Sequence, residues 1–115
     1  MKLSLVIAFV PVESQSKVIE AAREAGATGA TILNARGEGV KEQKTFFGLK
    51  LEKPQDAVLF LVERLHSTKI LQAVYNAVEM DKPHNGIVIS VPVDGAMGLE
   101  SQISIMTKEA NEEYF

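Results

Sequence analysis

The hydrophobic pattern opens with an unbroken apolar run, Leu3 to Val10, stopped by Pro11. A run without alternation suits a central strand buried on both faces, or packed on one face and covered by a subunit contact on the other. From Ser14, an N-cap residue type, the period changes. Val18, Ile19, Ala22 and Ala25 recur at helical spacing, Lys17, Glu20, Arg23 and Glu24 take the wet face, and Gly26 is placed to end the helix in the left-handed conformation. Thr28 to Ala35 predicts a second strand and Ala57 to Leu65 a third, each rich in residues that fit a pleated surface. Between Thr68 and Met80, the residues Ile70, Leu71, Val74, Ala77 and Val78 return to a period of about 3.6, which predicts a second amphipathic helix. Asp81 to Gly86 breaks it, and Ile87 to Val93 predicts the fourth strand.

The order strand, helix, strand, long loop, strand, helix, strand describes two right-handed β-α-β halves. Interleaved, they give an α+β, ferredoxin-like βαββαβ domain over residues 1–93, a four-stranded antiparallel sheet with both helices on one face. Two helices cover one side of such a sheet, while the first and third strands are apolar along their length. The uncovered face is therefore expected to be buried against other copies of the chain, as a homo-oligomer. Residues 94–115 contain Gly95, Gly98, a short apolar piece at Ile103 to Met106 and an acidic end, and read as a C-terminal extension, a partly ordered tail.

Composition narrows the choices. At 115 residues with a 46% apolar and 23% charged share, the chain fits one domain that can bury a core without a metal or a disulfide. Twelve basic against fifteen acidic residues leave a net charge of −3, which gives no general attraction to nucleic-acid phosphates or anionic lipid. The absence of cysteine excludes disulfides, thiolate metal sites and cysteine nucleophiles, and is compatible with a reducing cytosol. The start resembles a short signal peptide in charge and apolarity, but no small-residue cleavage site follows, so a buried strand is expected there. No run approaches the roughly 20 apolar residues of a membrane-spanning helix. A cytoplasmic protein without direct membrane insertion is expected.

No catalytic set emerges. His66 and His84 are the only histidines and have no clustered carboxylate, so no metal is expected; Glu112 and Glu113 read as a solvated tail, and Ser14 and Ser16 as capping residues. An RNA-recognition sheet needs paired aromatics on its central strands, and the third strand offers Phe60 while the second offers none. Two turns carry more chemistry. Gly37-Glu38-Gly39 lets the backbone take positive φ and approach a ligand, and Lys82-Pro83-His84-Asn85-Gly86 offers a cation and backbone N–H groups as an anion nest. Both read equally as ordinary turns flanking strands. The loop that follows, residues 40–53, is longer than a mere connection needs. It is charged yet carries Phe46, Phe47, Leu49 and Leu51, which is adhesive rather than catalytic chemistry. Lys44, Thr45, Phe46, Phe47 and Leu49 are the candidate partner contacts, while alternation at 47, 49 and 51 equally allows a ribbon extending the third strand.

The pattern resembles the PII signal-transduction superfamily, the nitrogen-regulatory PII proteins and their PII-like relatives. The resemblance spans about residues 1–93. It rests on the element order, on GATGATILNARGEG, similar to the family's G-x-T-G-x-T-V-x-x-x-x-G-x-G segment, and on DKPHNGIVISVPV, similar to the turn before its last core strand. It implies a homotrimer with inter-subunit clefts for adenine nucleotides (ATP, ADP or AMP) and a T-loop, here about residues 37–53, that reports ligand state to a target protein. Many PII-like relatives act beside membrane transporters. By position, Thr31 matches the threonine near the adenine, Gly37 and Gly39 flank Glu38 at the T-loop base, Asn85 and Gly86 match the Asp-Gly of the phosphate turn, and Lys82, two before His84, takes its basic position. Departures are substantial: Val40 and Lys41 replace the family's Arg-Gln, Ile87 replaces the basic residue after Asp-Gly, and the arginines beyond the last core strand have no counterpart. Charge compensation for a triphosphate is thus reduced. The loop holds no tyrosine for uridylylation, and Thr45 is its only hydroxyl. The expectation is a non-enzymatic trimeric regulator that senses an adenine nucleotide; the alternative is a ligand-free trimeric adaptor holding its partner constitutively through the loop.

Overall fold

The computed structural model describes residues 2–36 and 54–99, together with the backbone of 45–46 and 49–50. The elements are β1 (Leu3–Pro11), α1 (Gln15–Glu24), β2 (Thr31–Ala35), β3 (Thr45–Phe46), β4 (Leu49–Lys50), β5 (Gln55–Glu63), α2 (Arg64–Ala77) and β6 (Ile87–Val93). The main sheet runs in the order β2-β5-β1-β6 with every pairing antiparallel. This is the ferredoxin-like arrangement expected from the sequence, with the two apolar strands in the centre.

Pairing splits the apolar run of β1 into two faces. Val6, Ala8 and Val10 are fully buried and meet Val18, Ala22, Phe60, Val58, Ile70 and Val74 in the core beneath the helices. Alanines at 8, 22, 25 and 27 let the layers approach closely. The odd-numbered residues point to the other side: Leu5 lies opposite Leu61 and Val91, and Ile7 opposite Leu59 and Ile89. Among the described residues no helix covers this side. Ile89, Val91 and, on β2, Leu33 are 36%, 42% and 52% exposed there, as part of an apolar sheet face.

Helix ends differ from the sequence reading. At α1, Gly26 takes φ +118, its N–H donates to the Arg23 carbonyl and that of Ala27 to the Ala22 carbonyl, a Schellman stop as expected. Ser14 makes no side-chain cap; a 3-10 turn, Val12–Ser14, leads into the helix instead. α2 begins at Arg64 rather than Thr68, because strand passes to helix without a loop. The Arg64 N–H still donates to the Lys2 carbonyl while the Ser67 hydroxyl already donates to the Arg64 carbonyl. It ends at Ala77 rather than Met80. There Glu79, at φ 51, occupies the left-handed position, with N–H groups of Glu79 and Met80 donating to carbonyls of Asn76 and Tyr75. β2 starts at Thr31, not Thr28, and β5 at Gln55, two residues earlier than the apolar pattern indicated.

Within the long connection, Thr45 pairs with Lys50 and Phe46 with Leu49 as a separate two-stranded ladder. Of the sequence-predicted loop residues, Gly37, Glu38, Gly39, Lys44 and Phe47 lie outside the described residues, as do the side chains of Thr45, Phe46 and Leu49.

Candidate functional site

Register fixes where the candidate residues stand. β1 ends, and β5 and β6 begin, at one end of the sheet, and Ala35 at the end of β2 pairs with Gln55 there. The flanks of residues 37–53 and the turn Lys82–Gly86 therefore share one sheet end. That end is firmly anchored. The Gln15 side-chain amide donates to the Asp56 carboxylate at 2.9 Å, across 41 positions of sequence, and Asp56 is only 2% exposed. This tie joins the start of α1 to the strand that leaves the loop.

The turn is built on one glycine. Gly86 sits at φ +118, and a Cβ there would fall 2.4 Å from the Phe9 carbonyl oxygen and 3.0 Å from Val10. Only glycine lets the turn lie against β1. Asn85, matched to the phosphate turn, is turned inward: its side-chain amide donates to the Val78 carbonyl at 3.1 Å and the Glu79 carbonyl at 3.0 Å, satisfying the end of α2. Asn85→Ala is expected to cost about 1–2 kcal/mol by leaving those carbonyls without their donor, read as a lower urea midpoint; Lys82→Ala, at an exposed pair, should move it little.

Lys82 is engaged as well. Its ammonium lies 2.6 Å from Glu79 Oε1. This hydrogen bond, with the Coulombic attraction behind it, holds the Glu79 carboxyl below and the Lys82 ammonium above the usual range. His84 is exposed and takes φ 69. Among the described residues no three His, Asp or Glu side chains gather as a metal-ligand set.

Thr31 stands elsewhere. It lines a hollow of about 250 Å³ with Thr28, Gly29, Ala30, Leu59, Leu61 and Leu99, opening on the uncovered sheet face. Thr28–Ala30 also wall a second hollow of about 240 Å³ on the helix side, with Ile19, Arg23, Ala27, Ile32 and Phe60. Thr31 on β2 is separated from the Lys82–Gly86 turn before β6 by three strand spacings and about three residues along the strands, roughly 17 Å. Between them lies apolar sheet. The structure thus brings together Lys82, His84, Asn85 and Gly86, and sets Thr31 apart in a hollow with no charged side chain among its described lining. Small-molecule pockets typically run about 300–1,000 Å³, and the Thr31 hollow falls just below that range.

Sequence reasoning missed most of this lining. Leu59 and Leu61 look like any core-strand residues, and Leu99 belongs to the segment read as tail. The available signal was strand parity: residues opposite Ile7 and Leu5 must share the uncovered face.

Comparison with known proteins gives matches of two kinds. A family model described as Nitrogen regulatory protein P-II matches residues 3–102. A solved structure described as CPII bound to ADP, AMP and acetate, from Thiomonas intermedia K12, superposes with a TM-score of 0.63 at 15% identity, covering 80% of this chain and 86% of that one. At that identity the likeness speaks to the fold. No curated protein matches.

Proposed function

The chain belongs to the nitrogen regulatory protein P-II family, and from that premise we propose that it is a non-enzymatic cytoplasmic regulator: a homotrimer whose inter-subunit clefts bind an adenine nucleotide, with residues 37–53 contacting a target protein, a membrane transporter among the candidates. No helix among the described residues is long and apolar enough to cross a membrane, so the transporter would be a partner and not a role of this chain.

The observation that carries this reading is the separation of two half-sites on one sheet. The uncharged Thr31 hollow suits a base and the Lys82–Gly86 turn faces solvent beside the loop flanks, yet apolar sheet divides them within a chain. Joining the hollow of one copy to the turn of the next completes a pocket and covers Leu33, Ile89 and Val91. Contact between two different patches is heterologous, and a heterologous contact that closes makes a ring. The likeness to a fold whose solved example carries ADP and AMP supports the choice of ligand. A nucleotide regulates the loop only through unequal affinity for two loop states.

Calorimetry with AMP, ADP and ATP, joined to hydrogen exchange over residues 37–53, tests the reading. Saturable binding with altered protection is expected. Silence across the panel refutes nucleotide sensing, and protection that never responds favours the constitutive adaptor.

A further inference from the structure

We infer that the cleft is graded for an adenine nucleotide carrying one phosphate over one carrying three, an inference that rests on the nucleotide-cleft reading above. Each half-site contributes. The hollow around Thr31 is lined by Thr28, Gly29, Ala30, Leu59, Leu61 and Leu99, and none of these described residues carries a charge with which to meet a phosphate. In the turn half, the groups that look like phosphate ligands have partners within the protein. The Asn85 amide donates to two carbonyls at the end of α2, and the exposed Lys82 ammonium shares its charge with the Glu79 carboxylate 2.6 Å away. Asp81 adds a second acid, so residues 79–86 present two carboxylates to one ammonium. Ile87, directly after Gly86, adds no charge to the turn.

A single phosphate, bringing about −1.5 to −2 charges, asks for fewer donors, which backbone N–H groups of a turn can supply. Further phosphoryl groups add charge that the acidic turn repels. Charge-assisted hydrogen bonds are the strong contributors at phosphate sites, and the one ammonium of this turn shares its charge with a carboxylate.

The test is calorimetry of the full chain with adenosine, AMP and ATP in magnesium-free buffer near physiological ionic strength. AMP is expected to bind about tenfold or more tighter than ATP. Glu79→Gln removes one carboxylate and releases Lys82 at an exposed position, so folding is not at stake. It should raise ATP affinity roughly three- to tenfold while changing AMP by less than about threefold. ATP binding as tightly as AMP in the native chain overturns the inference and leaves the nucleotide cleft standing. An ATP-to-AMP ratio unmoved by Glu79→Gln overturns the charge argument. Failure of adenosine, AMP and ATP alike to bind removes the cleft reading and the inference together.

Discussion

Val91→Glu is expected to convert the assembled protein into monomers. Val91 lies on β6 opposite Leu5, in the uncovered apolar face, and is 42% exposed in the isolated chain. Its replacement costs the single subunit little. In a ring the same carboxylate would be driven against apolar sheet, where an uncompensated charge costs several kcal/mol. Sedimentation should show the native protein at the mass of three 12.5 kDa chains and the variant at the mass of one, with far-ultraviolet circular dichroism unchanged. The same charge at Thr68, exposed on α2, should leave the assembly intact. A native protein that sediments as a stable monomer would end the ring proposal.

Gly86→Ala is the most damaging conservative change expected within one chain. The methyl group would lie 2.4 Å from a backbone oxygen of β1 and would hold alanine at φ +118. Neither strain is relieved by rotating a side chain, and the backbone it presses on belongs to the central strand. The loss should be roughly 2–4 kcal/mol, or about 10 °C in Tm. Gly95→Ala, whose methyl group meets nothing within 4 Å, is the matched control and should leave Tm nearly unchanged. Equal Tm values for the two variants would refute the close-approach argument.

What the sequence made legible is whatever depends on local period. The continuous run of β1, the β-branched Ile87–Val93 segment and the glycine stop of α1 each carry their structure in consecutive residues. Boundaries failed where a distant partner supplies the stop. α2 halts at Ala77 although Val78 keeps the apolar period, because the stop is made by a left-handed Glu79 and by Asn85, which no helix-ending rule anticipates. The same contact explains why Asn85 read as a ligand group: in sequence it is a free amide in a polar turn, and in space it is a cap. Gln15 and Asp56 were invisible for a similar reason, since their hydrogen bond joins a helix start to a strand start. The two half-sites could be named by motif, but their separation follows only from strand register.

The proposed division of the pocket between one end of a chain and the far side of its neighbour has a genetic corollary. In a closed ring each subunit lends its turn to one cleft and its hollow to another. Alleles crippled in different halves would then rescue each other when co-expressed, since a mixed ring always contains a junction where an undamaged turn meets an undamaged hollow, whereas two alleles crippled in the same half would stay silent together.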